Sequence, residues 1–257
     1  MQWGQICLTL SAGIPLGAAW WANRKTALVH ALFWGILAWL AWLFSTALAT
    51  LEARYIAASL TACAGVAVLG ARRPGAAAWN GVVLGLLAVL LLPLAQASFT
   101  AGEVFVNPIA RWFLTILLAV VIANYFPTRL LPGALALLLG SVSEVWELHR
   151  NSGIGDLRWS VVLAALSPWM AAAGFRIRKS ASSGAADQLW QEFRDSFGAI
   201  WALRLQDQFN HSTQHLGLEL ALGWNGVRAL KMKPLTESEQ TASLELLVAL
   251  LQRFGVP

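Results

Sequence analysis

Residues 26–49 contain no Asp, Glu, Lys or Arg, and six further apolar runs of comparable length fill most of the first 180 positions. About 20 apolar residues in a helix cross about 30 Å of hydrocarbon while bonding every backbone N–H and C=O internally. The runs predict spans over 6–22, 26–49, 55–71, 76–97, 109–126, 130–146 and 159–175, with Gly13, Pro15 and Gly17 interrupting the first. The expected fold is an all-α polytopic membrane bundle of six or seven helices. An N-terminal signal peptide is not expected, because no Lys or Arg precedes the first run and Trp20-Trp21 stands where a cleavage site would.

Composition agrees. The chain of 257 residues is 58% hydrophobic and 12% charged, against about 25% charged in an ordinary soluble domain. The charge is also divided. Residues 1–179 hold 12 Lys and Arg against 5 Asp and Glu, a net of +7; residues 180–257 hold 6 against 8, a net of −2. The basic residues stand in short clusters between apolar runs, which excludes the continuous basic face of a nucleic-acid binder.

Those clusters predict orientation. Arg24 with Lys25, Arg72 with Arg73, Arg129, and Arg176 with Arg178 and Lys179 all fall on one side of a seven-span chain. Glu52 with Arg54, Glu103 with Arg111, and the mixed set from Glu144 to Arg158 fall on the other. The positive-inside rule puts the first side, and the C-terminus, in the cytoplasm, with the N-terminus outside. Low Lys beside high Arg, Ala and Leu suggests a bacterial genome and hence the plasma membrane.

Trp20, Trp21, Trp79, Trp112, Trp146 and Trp159 stand at run ends, as in an aromatic belt, while Trp34, Trp39 and Trp42 are mid-run and read as helix packing. Gly13 with Gly17 and Gly81 with Gly85 match the small-xxx-small pattern of close helix approach. Cys7 and Cys63 read as small buried apolar residues.

Catalytic patterns mostly fail on inspection. Gly153-Ile154-Gly155-Asp156 spells the GxGD of intramembrane aspartyl proteases, but that chemistry needs two carboxylates and no second Asp occurs before Asp187. Ser141 and Ser143 have no His at matching depth on another span. His30 and His149 fall on opposite sides of the bilayer, too far apart to ligate one haem, and no Lys lies within a span. No cofactor is expected, and a metal site from Glu144, Glu147 and His149 lacks a standard ligand spacing.

One polar cluster remains, on the outer side: Arg111, Glu144, Glu147, His149, Asp156 and Arg158. Glu144 lies 14 residues beyond Leu130, about 21 Å along a helix, and a carboxylate at that depth needs a partner. Spans five and six are antiparallel neighbours, so Arg111 is the expected partner. Local pairing at the interface is the plainer role for the cluster; a substrate or ion site is the sharper one.

Residues 180–186 read as a flexible linker and 187–257 as a small α+β module. Trp190, Phe193, Phe197, Trp201, Leu205 and Phe209 recur at three- and four-residue steps, predicting one long amphipathic helix to about His215. Leu218, Leu220, Leu222 and Trp224 alternate as a strand, and Asn225-Gly226 predicts a hairpin turn. Leu230 and Met232 fall on the wrong face of the return strand, which calls for a bulge or longer loop. Thr236 and Glu239 form a capping box for a last helix stopped by Gly255. Asn210, His211 and His215 read as a polar helix end. Trp190, Trp201 and Trp224 are the candidate core or docking aromatics, and the module is expected to fold as a unit.

These readings favour a non-catalytic membrane scaffold or assembly subunit that meets the bilayer with its bundle and a protein partner with its module. A small-solute or ion transporter using the outer cluster comes second, and a membrane-embedded enzyme third.

Overall fold

The computed structural model describes residues 2–72, 75–100, 107–147, 158–176, 184–230 and 235–256. The described residues are mostly helical, with one two-stranded sheet among them. Eight helices come first: α1 (Gln2–Ala22), α2 (Leu28–Leu48), α3 (Leu51–Leu69), α4 (Ala76–Leu90), α5 (Leu92–Thr100), α6 (Pro108–Ala123), α7 (Leu131–Glu147) and α8 (Trp159–Arg176). Of these, α2 and α3 are long and apolar enough to cross a membrane. The pair α4–α5 makes a third candidate if its two parts are one span bent by 46°.

That bend departs from the single straight span expected over 76–97. Pro93 supplies no backbone N–H, and its ring crowds the carbonyl four residues back, so α4 ends and a new helix starts at Leu92. Proline is tolerated at Pro15 in α1 and Pro168 in α8, both of which continue as helices. Asn107 starts α6 by accepting the Ala110 N–H at 2.7 Å, with Pro108 pre-set for the first turn.

The helices pack in a closed order: α1 against α2 and α8, α2 against α3, α3 against α6 and α7, α6 against α7, and α7 against α8. Three mid-run tryptophans of α2 tie it to its neighbours. Trp39 donates to the Thr9 carbonyl at 2.7 Å, Trp42 to the Thr61 hydroxyl at 3.0 Å, and Trp34 to Asn80 at 3.2 Å. The close approach expected at the glycine pairs is found at Gly13 alone, whose absent Cβ leaves room for the Trp39 ring; Gly17, Gly81 and Gly85 face open space. The tight crossing is α7 on α8. A Cβ on Gly133 or Gly140 would lie 2.7 Å from the α8 carbonyl of Ser167 or Ser160. Cys63 is buried, whereas Cys7 is exposed on α1, against expectation, because its helix face meets no neighbour there.

The C-terminal part comprises α9 (Ala185–Phe197), α10 (Ala199–His215), β1 (Leu220–Leu222), β2 (Val227–Ala229), α11 (Glu237–Leu251) and a 3₁₀ turn at Gln252–Phe254. The single long helix expected from the aromatic stripe is two, broken at Gly198, whose φ of +81° suits glycine. The hairpin is antiparallel, with Leu220 opposite Ala229 and Leu222 opposite Val227. Its turn is centred on Trp224-Asn225, one residue earlier than expected, closed by the Gly223 N–H on the Gly226 carbonyl at 2.8 Å. Asp187 fixes that position: it accepts the Val227 N–H at 2.8 Å and occupies the space a Cβ on Gly226 would need. Leu230 is simply exposed, so no bulge is required between Leu220 and Ala229; Met232 lies outside the described residues. The Thr236 capping box forms, and Gly255, at φ +71°, ends the last turn.

Candidate functional site

Glu144 is fully buried and is the centre of a network joining four helices at one end of the bundle. The close passage of Gly140 against Ser160 sets it up, since Glu144 is one turn further along α7 and so faces the start of α8. The Ser160 hydroxyl donates to Glu144 Oε2. Arg158 Nη2 donates to Glu144 Oε1 at 2.8 Å, and Arg54 Nε, from the first turn of α3, donates to the same oxygen. Arg54 also reaches Glu147 Oε2 at 3.1 Å. Arg158 continues to α2, where its Nη1 meets the Ser45 carbonyl at 3.1 Å and its Nη2 the Ser45 hydroxyl at 3.0 Å.

Two guanidiniums face two carboxylates, so the network is formally neutral. Glu147 is the most hydrated member, with 44% of its side chain exposed. Glu144, by contrast, offers both oxygens to three donors in the protein and keeps none for a passing solute.

The expected partner of Glu144 is corrected by this geometry. Arg111 makes no ion pair with Glu144; it is buried near the start of α6, and its Nε has no hydrogen-bond partner among the described residues. The cause is the direction of the side chain around the helix. Trp112 and Trp146 meet edge to face at 5.2 Å, so α7 turns its Trp146 side to α6. Glu144, two residues away, points about 200° around the axis from that contact. Sequence reasoning missed Arg54, Ser160 and Ser45. Arg54 was legible, because it belongs to the same side of the chain as Glu144; a hydroxyl at Ser45 or Ser160 gave no signal. His149 and Asp156, with the GxGD run, lie outside the described residues. Among the described residues, no group of three or more His, Cys, Asp and Glu side chains is placed to hold a metal ion.

The opposite end of the bundle carries a second buried site, where the C-terminal part seats on the helices. Trp190, Phe193, Phe197, Trp201, Leu205 and Phe254 form one apolar cluster with Ala27, Leu28 and Ala71. Trp190 and Trp201 are buried core, and Trp224 packs partly buried against the same cluster. Two of these rings also bond across the junction: Trp201 donates to the Val68 carbonyl and Trp224 to the Pro127 carbonyl, both at 3.2 Å.

Asn124, just after α6, caps α10 from outside its own segment. Its carbonyl accepts the Ala199 N–H at 2.7 Å and its Oδ1 the Ile200 N–H at 2.9 Å. These are orphan donors at the helix start, left open by the break at Gly198. A Cβ on Gly198 would overlap the Asn124 amide. Nearby, the fully buried Asp195 accepts from Arg194 at 2.8 and 3.0 Å. Arg129 Nε lies 3.2 Å from its other oxygen, an ion pair by distance whose angle is too poor for a hydrogen bond. Arg129 also donates to Gln191. At the far edge, Asn210 serves β1, accepting the Leu222 N–H at 2.7 Å, while His211 and His215 touch each other at 3.0 Å on the exposed face.

A scan of protein-family models found no match to this chain, and neither did comparisons with curated proteins and with solved structures.

Proposed function

We propose that the chain is a multi-pass integral membrane protein of six or seven spans that works as a non-catalytic scaffold. In this reading residues 1–179 form the membrane domain, 180–186 the linker and 187–257 a cytoplasmic module. The N-terminus lies outside the plasma membrane when there are seven spans. The carrying observation is the junction at Asn124, Val68, Pro127 and Arg129, which holds the C-terminal part in one orientation on the helix ends. A scaffold needs that fixed orientation. Leu203, Leu216 and Leu230 stay exposed on its surface for a protein partner.

Both charge networks are spent on themselves. A transporter of ions or polar solutes needs uncommitted charge along a route, and Arg54, Glu144 and Arg158 are committed to one another. This supports the structural role over the transport role.

Topology is tested with reporters. One fused after Lys179 should be cytoplasmic and one inserted at Gly102 external; both on the same side would overturn the span count. For the scaffold role, photo-crosslinking residues at Leu203 and Leu230 should each yield an adduct with another protein. Each adduct should weaken when the other leucine of the two is changed to Asp. Adducts with lipid or with the chain itself alone would sink it.

A further inference from the structure

Helices α1, α2, α3, α6, α7 and α8 line a partly open cavity of about 900 Å³. Its size is at the upper end for a small-molecule site. Gly35, Ala38, Leu118, Ala134, Leu137 and Ala172 are representative of a wall that is almost wholly apolar. Most of the polar groups deep in it are already bonded, while the Tyr125 and Ser196 hydroxyls also line it. Thr9, Thr61 and Ser167 donate to carbonyls of their own helices, and the indole N–H groups of Trp39 and Trp42 are bonded to Thr9 and Thr61. Each water held in such a space wants two or more polar partners, which most of this wall does not supply; hydrocarbon needs none. Ile14 and Phe175 line the cavity and are exposed, so it communicates with the outside of the bundle. Among the described residues, the one charged residue that lines it is the exposed Arg176, at the end near the C-terminal part, which pairs with no carboxylate among them.

We propose that this cavity binds an anionic phospholipid, with acyl chain between the helices and phosphate at Arg176. The site rests on the membrane reading above. Gly35 gives a clean test, because a Cβ there meets only Leu16 Cδ1 at 3.7 Å, an ordinary contact, leaving a larger side chain room to grow into the cavity. The full chain is washed in carbonate as membranes, placed in nanodiscs of equal phosphatidylglycerol and phosphatidylcholine, released into mild detergent and weighed by native mass spectrometry.

The wild-type chain should keep phosphatidylglycerol about fivefold over phosphatidylcholine: both offer a phosphate, but the choline ammonium cancels its charge, and one basic residue beside a net-anionic lipid is worth about 1 kcal/mol. Gly35→Phe should lower retention about tenfold at unchanged melting temperature, and Ala172→Phe, from another wall, should do the same. Arg176→Gln should abolish the headgroup preference while lipid stays bound. The proposal is overturned if wild type keeps no lipid, if it keeps both lipids equally, or if folded Gly35→Phe and Ala172→Phe keep as much as wild type. Release of the wild-type chain by carbonate would instead sink the membrane reading itself.

Discussion

Replacing Glu144 by Gln keeps its volume and removes its charge, leaving Arg54 and Arg158 opposed only by Glu147. The local balance moves from zero to +1, at a carboxylate with no exposed surface beside arginine side chains 12% and 9% exposed. Removing one partner of a buried pair costs about 3–5 kcal/mol, mostly from the charge left behind. For a chain of this size each kcal/mol moves the melting point by about 2–4 °C, so the expected drop is about 6–20 °C. Thermal unfolding of the purified chain in detergent, followed by tryptophan fluorescence, measures it. Glu144→Gln/Arg158→Gln should recover part of the loss, because no unopposed charge remains. Arg111→Gln/Glu144→Gln should be additive, because those residues do not touch. A drop under about 2 °C for Glu144→Gln, or full additivity with Arg158→Gln, would refute the network as a stabilising unit.

Asn124→Ala removes the side-chain cap of α10 and should cost about 1 kcal/mol, read as faster hydrogen exchange at the Ile200 amide, while Asn124→Asp should keep that cap but lose the donor that Asn124 gives the Phe197 carbonyl at 3.4 Å. Trp201→Ala should cost about 3–5 kcal/mol in the melting of the full chain; an unchanged melt would mean the ring is not core. Gly140→Leu should abolish folded yield by forcing α7 off the Ser160 carbonyl, whereas Gly81→Leu, facing open space, should be tolerated. Residues 184–257 expressed alone should show helix and strand by circular dichroism but melt below the full chain, which a matching melting point would contradict.

Axial position was easy to read from the sequence, and azimuth was not. Counting from Leu130 put Glu144 near the end of its helix, and alternation of loops put Arg54, Arg111 and Arg158 at that same end. Choosing among three arginines needs the angle at which each helix faces its neighbours. That angle follows from Gly133 and Gly140, and their glycines stand seven residues apart instead of in the four-residue spacing sought at Gly13 and Gly81. The exposure of Cys7 has the same origin: composition marks a residue as apolar without saying which neighbour it meets.

The break at Gly198 was hidden for a related reason. Phe197 and Trp201 are four apart, so the aromatic stripe keeps its phase across the interruption and periodicity sees one helix. What breaks it is a partner 74 residues earlier, since Asn124 takes the space of the missing Cβ and supplies the cap that α10 lacks. The consequence is energetic. Val68, Ala71, Leu28 and Ala27 belong to the bundle, yet they complete the same cluster as Trp201 and Phe254, and the Ala27 N–H is bonded to the Phe254 carbonyl at 2.8 Å. A module of about 70 residues is close to the smallest that sustains its own core. Here part of that core, one helix cap and one counter-charge of Asp195 are lent by the helix ends. The orientation of the C-terminal part and its stability therefore come from the same contacts, so a change that loosens one loosens the other.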